Sequence, residues 1–129
     1  MSFQSFEDLA VWKRSVKLSS AVYKELQNLK DYGFKDQITR SGLSIPSNIA
    51  EGFERRSQKE YLNFLSYSKG SCGELRTQIH IGINTDYINQ ETGRAWIEEA
   101  RQISMMLSGL MKKIKMDDRQ KLKAKSEKF

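Results

Sequence analysis

Apolar residues along this chain recur at alternating steps of three and four, the spacing that stacks them on one face of an α-helix. Four such stripes are legible. The first runs Leu9, Trp12, Val16, Ser19, Tyr23 and Leu26. Ser5 followed by Asp8 has the layout of an N-cap with an acid at the third helical position. The spacing therefore predicts a helix from Phe6 to Leu29 that ends in an Asp31-Tyr32-Gly33 turn. The second stripe is Ile38, Gly42, Ile45, Ile49 and Gly52, with Pro46 inside it. A mid-helix proline lacks its N–H and presses on the carbonyl four residues back. Here that carbonyl belongs to Gly42, whose missing Cβ lets the backbone tilt. A kinked, continuous helix is the favoured reading; the alternative breaks the chain near Ser44 and restarts it with Pro46 in the first turn.

Ser57-Gln58-Lys59-Glu60 is a capping-box pattern. It opens the third stripe, Tyr61, Leu65, Ser68, Cys72, Leu75, Ile79 and Gly82. After a turn at Asp86 to Asn89 comes the fourth, Trp96, Ala100, Ile103, Leu107, Leu110 and Ile114. The expected fold is all-α: an antiparallel up-down-up-down four-helix bundle with shallow left-handed crossings. It should occupy residues 1–115, with 116–129 as a basic C-terminal tail or helix extension. Leu9, Val16, Ile38, Ile49, Leu65, Ile79, Ile103 and Leu110 should meet in one core.

Composition narrows the chemistry. A chain of 129 residues fits one domain of ordinary size. No apolar run is long enough to span a bilayer, and Met1 to Trp12 lacks the blocks of a signal peptide. A cytoplasmic protein without membrane contact is expected. Cys72 is the one cysteine and His80 the one histidine, which excludes a disulfide framework and multi-cysteine zinc sites. No Glu lies three residues before His80, as a di-iron bundle would require. No catalytic residue, metal ligand or cofactor is expected. The net charge of +6 has its basic excess at the two ends, with residues 31–88 neutral, and favours anionic partners.

Asn48 and Glu51 flank the proline. Their structural reading is that Asn48 bonds a backbone group freed by Pro46 while Glu51 pairs with Arg55 at i, i+4; a subunit contact or a ligand site is the alternative. Ser68-Lys69-Gly70-Ser71-Cys72-Gly73 is small-sided for a helix centre, and close helix approach accounts for it better than a phosphate cradle at Gly70-x-x-Gly73. Cys72 reads as a buried small residue and His80 as a surface or boundary one. Trp12, Tyr23, Tyr61 and Trp96 lie on the stripes and belong to the core, whereas Phe34, Phe53 and Tyr67 fall off them and suit a subunit interface. Lys112, Lys115, Arg119 and Lys123 step by three, four and four, giving a continued helix one basic face. Lys113, Lys121, Lys125 and Lys128 add to it. This segment is a candidate contact for RNA or DNA backbone, against the plain reading of a solvated helix end whose cations suit the dipole.

The stretch Arg40-Ser-Gly-Leu-Ser-Ile45-Pro46-Ser47-Asn48-Ile49-Ala50-Glu51-Gly52, followed by Gly70-Ser71 and Glu74, resembles the bacterial four-helix-bundle proteins encoded in intervening sequences of 23S ribosomal RNA genes. Phe6-Glu7-Asp8-Leu9 with Trp12, and Tyr87-Ile88, match as well, so the resemblance covers residues 5–115. It implies a bundle that assembles into rings, commonly homopentamers, with no established enzymatic activity and a ribosomal label that reflects gene position. It is also distantly similar to accessory proteins of diversity-generating retroelements, which work with a reverse transcriptase and its RNA. In this light Ile45 to Gly52, Gly70, Ser71 and Glu74 are structural or interface residues. The expected function is a non-enzymatic, oligomeric nucleic-acid-binding or accessory protein. The alternative is a homo-oligomeric scaffold that engages protein partners and no nucleic acid.

Overall fold

Ser5 Oγ accepts the Glu7 N–H at 3.2 Å, and the Ser5 N–H donates to Asp8 Oδ2 at 3.2 Å, completing a capping box. This cap does not open a long helix. In the computed structural model, which describes residues 3–127, it closes one 3-10 turn at Phe6–Asp8, and Leu9 is extended at φ −74°, ψ 125°. Helix α1 follows at Ala10–Leu26, starting later and ending earlier than the spacing predicts. The Asp31-Tyr32-Gly33 turn is also displaced, because Asp31 is the N-cap of α2 (Tyr32–Phe53) and Tyr32 and Gly33 are already helical. The Asp31 carboxylate accepts the Phe34 N–H at 3.1 Å and the Tyr87 hydroxyl at 2.9 Å, and these bonds hold it below the usual carboxylate range.

Helix α2 runs unbroken through Pro46, so the continuous reading holds and no restart occurs near Ser44. Helix α3 spans Gln58–Asn84, opened by Ser57, whose Oγ accepts the Glu60 N–H at 3.1 Å. Asp86 then turns the chain in the left-handed region at φ 63°. Asn89 caps the next helix by accepting the Glu91 N–H at 2.8 Å. Helix α4 is Gln90–Glu127, and its 38 residues make it about 57 Å long at 1.5 Å per residue. The charged segment after Ile114 is thus helical through Glu127; Lys128 and Phe129 lie outside the described residues.

Each helix packs on two neighbours, α1 and α3 both lying against α2 and α4. The contacts run in opposite senses along each pair. From one end of α2 to the other, Phe34 lies near Gly82, Ile45 bonds Ser68, and Gly52 meets Tyr61 and Phe64. Along α3 and α4, Ile83 meets Gly93, Lys69 bonds Ser108, and Gln58 lies against the Asp118 carboxylate. Such order follows from the short turns between helices.

The stripes of α2, α3 and α4 face inward as their spacing predicts: Ile38, Ile45, Ile49, Leu65, Cys72, Leu75, Ile79, Ala100, Ile103 and Leu107 are fully or almost fully buried, and Leu110 is half-buried. The stripe of α1 needs correction. Val11, Ser15, Leu18 and Val22 form its inward row together with Ser19 and Leu26, while Val16 is half-buried and Tyr23 is 46% exposed. The stripe was anchored on Leu9, which is buried but not helical, so its phase does not carry into α1. Phe34 and Phe53 also differ from expectation. Phe53 stacks edge-on with Phe6 and Tyr61, and Phe34 packs at a tilt on Tyr87 with ring centroids 5.3 Å apart, so both pack inside the chain.

One polar link ties α1 to α4. Arg14 Nε and Nη2 donate to the two Glu99 oxygens at 2.9 and 2.5 Å, and Nη2 also to Gln102 at 2.7 Å. The paired geometry raises Arg14 and lowers Glu99 from their ordinary pKa values. Among the described residues, no helix is long and apolar enough to cross a membrane. Leu107 is wholly shielded, so Leu107→Ala is expected to lower unfolding free energy by about 2–5 kcal/mol in urea denaturation.

Candidate nucleic-acid interface

The proline-bearing motif forms the seam between α2 and α3. Proline removes one donor from the helix ladder, and hydroxyl and amide groups gather at the carbonyls beside it. Ser68 Oγ donates across the seam to the Ile45 carbonyl at 2.9 Å, and Asn48 Nδ2 donates to the Ser44 carbonyl at 2.9 Å. Asn48 therefore serves a neighbouring carbonyl and not the Gly42 group that Pro46 leaves without its partner. Ser44 Oγ donates to Ser71 Oγ at 2.6 Å, joining the two helices again. Glu51 takes its expected partner, Arg55, at 2.5 Å, in an exposed pair. Arg55 also lies over the Phe64 ring at 4.9 Å.

Of the residues the motif singles out, Ile45, Pro46, Ile49, Gly52 and Ser71 are buried, Pro46 on the side that faces α1. Asn48 and Ala50 are half-buried, and Ser47, Glu51, Gly70 and Glu74 are exposed. A Cβ on Gly52 would lie 2.8 Å from Phe64 Cβ and 3.2 Å from the Tyr61 carbonyl oxygen, so glycine is required there. Gly70 and Gly73 behave differently. A Cβ at either would meet nothing within 4 Å, which overturns close helix approach as their explanation.

The one thiol and the one imidazole lie in contrasting places. Burial pushes the Cys72 thiol up to about 11, against the pull of Arg76 and Lys69, so it stays protonated near neutrality. His80 is exposed. Among the described residues, no three His, Cys, Asp or Glu side chains group as a metal site would need.

All seven basic residues named on α4, Lys112, Lys113, Lys115, Arg119, Lys121, Lys123 and Lys125, are exposed. They do not form one surface. Lys112, Arg119 and Lys123 share the outward face, away from the buried Leu107 and Ile114, and Lys115 sits at its edge toward α3. Lys113 instead borders a cleft with Phe3, Leu9, Phe53 and Tyr61, beside Asp117. Lys121 is seven residues past Ile114 and so continues the inward side of the helix, with Lys125 one turn on. By then the bundle has ended: Gln58 touches Asp118, and residues 119–126 are all exposed. α4 thus overhangs its neighbours by more than two turns and presents cations around its circumference.

Two further features escaped the sequence pattern. Lys69 of α3 reaches across to α4, its Nζ donating to Ser108 Oγ at 2.7 Å beside Lys112 and Lys115. On the far side of the bundle, Val16, Ser19, Tyr23, Leu43 and Pro46 line an apolar groove of about 420 Å³ between α1 and α2. Tyr23 and Leu43 are about half exposed in it, at 46% and 48%. Of the three aromatics expected at an interface, Tyr67 alone remains well exposed, at 59%.

The family model described as 23S rRNA-intervening sequence protein matches residues 7–109. A solved structure with the same fold, at TM-score 0.75 and 26% identity, is a protein of unknown function from the S23 ribosomal protein family of Bacteroides thetaiotaomicron; the match covers 80% of this chain and 99% of that one. No curated relative matches. The matched residues include the whole proline motif and stop short of Lys112.

The glycines give a direct test of the seam. Gly52→Ala should destabilise the fold by about 1–3 kcal/mol through overpacking. Gly70→Ala and Gly73→Ala should each stabilise it by up to about 1 kcal/mol through helix propensity. Thermal melts of the three variants read the difference in sign.

Proposed function

The chain belongs to the 23S rRNA-intervening sequence protein family, and we propose that it is a non-enzymatic, self-assembling accessory protein that grips the backbone of RNA or DNA through α4. The observation that carries this reading is the overhang: a helix that continues past its partners, solvated on every side and rich in Lys and Arg. An apolar core does not need that extension. A strand of phosphates can use it, since backbone contacts require cations at helical spacing and no base-specific geometry. The proposal rests on this chain's own residues, because the family match ends at residue 109.

Self-assembly enters through avidity. One chain carries +6, and a homopentamer would carry +30. Contacts on linked subunits act at high effective concentration, which can tighten weak binding by about 10²–10⁴. A closed ring repeats one contact between two unlike patches. The apolar groove of α1 and α2 supplies one candidate patch, and the exposed Tyr67 of α3 belongs to another. That groove also favours the second reading, a homo-oligomeric scaffold for protein partners that leaves nucleic acid alone.

Light scattering is expected to give about five times the 15.0 kDa chain mass, and a monomer at micromolar concentration would contradict assembly. Anisotropy with a labelled single-stranded RNA should show affinity falling with salt at about 0.7 log units per phosphate neutralised. Removing residues 116–129, or replacing Lys112, Lys115 and Arg119 by Gln, should weaken binding and flatten that slope with helix content retained. An intact chain that binds nothing at low salt would leave the scaffold reading.

A further inference from the structure

Between α3 and α4 the surface opens into a groove of about 390 Å³ lined by Ser66, Lys69, Ser108, Met111, Lys112 and Lys115. Its lining joins three ammonium groups and two hydroxyls with no carboxylate. The ion pairs among the described residues, Arg14–Glu99, Arg55–Glu51 and Arg101–Glu98, use none of these lysines. Lys69 Nζ is held over the groove by its 2.7 Å bond to Ser108 Oγ. An ammonium has three N–H donors, so two remain, and the Ser108 hydroxyl keeps its own proton to donate. We propose that this groove binds a phosphate group, either a phosphodiester of a nucleic-acid strand or a free phosphate. Lys69, Lys112 and Lys115 supply the charge, and Ser66 and Ser108 supply hydroxyl donors.

Three observations fit an extended phosphate chain in particular. Gly70 follows Ser66, and Gly73 follows Lys69, by one helical turn, and both have open space where a side chain would stand. A strand leaving the groove along α3 would meet bare backbone there, which gives these two glycines a purpose that packing within the chain does not. Arg76, seven residues past Lys69 on the same side of α3, has its Nε shielded from water with no hydrogen-bond partner among the described residues. Lys69 and Arg76 both act on the Cys72 thiol between them, so the two cations flank one stretch of the helix.

The nucleic-acid form of this site rests on the function proposed for α4; the free-phosphate form stands without it. The experiment uses the full chain with a labelled single-stranded RNA and with inorganic phosphate as competitor. Lys69→Gln and Ser108→Ala are compared with Lys30→Gln, an exposed lysine remote from the groove, after circular dichroism has verified helix content. Lys69→Gln should weaken RNA binding about five- to tenfold and reduce the salt slope by about one phosphate, with Ser108→Ala acting in the same direction and Lys30→Gln within about twofold of the parent. Inorganic phosphate should displace RNA from the parent more readily than from Lys69→Gln. If the parent binds phosphate, seen as thermal stabilisation lost in Lys69→Gln, but binds no RNA, the groove stands as a free-phosphate site and the function proposed for α4 falls. If the parent binds RNA and both groove variants match it in affinity and slope, the groove proposal is overturned while the α4 reading survives. Absence of binding to either probe overturns both.

Discussion

Pro46 lies buried in the middle of α2 with no N–H to donate, and beside it two side chains bond carbonyls of that helix, one of them reaching across the seam from α3. Pro46 sits between the fully buried Ile45 and Ile49, so water is not at hand for the carbonyls on its inner side. Ser68 donates to Ile45, Asn48 donates to Ser44, and Ser44 reaches Ser71. At Ser68 a larger residue would hold α3 away from α2, and an apolar one would forgo the bond to Ile45 that ties the two helices, at about 0.5–1.5 kcal/mol. Gly52 sets the approach one turn further on, where any side chain would strike Phe64 or Tyr61. The motif is therefore a packing device, and its conformity to the family speaks to the fold far more than to a ligand.

Three of the four helices were legible because their stripes begin inside the helix they describe. Asp31, Ser57 and Asn89 cap α2, α3 and α4 directly, so residues counted from those starts keep a common phase. In α1 the cap and the helix are separated by extended Leu9, and a stripe counted across that joint slips by a residue. Two rows compete there, and Ser15 disguises the true one, because a wholly buried serine carries no hydrophobic signal. Its hydroxyl is satisfied locally by the Trp12 carbonyl at 2.8 Å, a contact no periodicity can reveal. The displaced Tyr23 then becomes a surface residue, and the apolar groove it borders was invisible for the same reason.

The candidate site was legible only where it is linear. Lys112 to Lys125 lie along one helix, and their faces follow from counting. Lys69 and Ser108 are 39 positions apart and meet because α3 and α4 run antiparallel in one register. That register is fixed by Ile83 against Gly93 at one end and Gln58 against Asp118 at the other. The glycines follow the stripes more closely: Gly52, on the second stripe, is jammed against a neighbour, whereas Gly70, off the third, faces open space.

The order of packing decides whether assembly and anion binding can coexist. Helices α1 and α3 both contact α2 and α4, so the groove between α1 and α2 lies across the bundle from the groove between α3 and α4. The first is apolar and holds the single cation Lys24; the second holds three lysines. Copies meeting on the apolar side would bury Tyr23 and Leu43 without desolvating the cations opposite, avoiding the cost of taking charges out of water unpaired. Repulsion between chains of +6 opposes assembly, and it is screened over about 8 Å at physiological ionic strength, less than the width of one helix. With the basic groove and the overhang turned away from such a contact, that repulsion would be small where chains met. The same separation would leave the cations of each copy free of protein and open to a polyanion whose phosphates could neutralise charge on several copies at once. Bound polyanion would then favour the assembled state over the single chain, since binding that requires several copies shifts the equilibrium toward the form that has them.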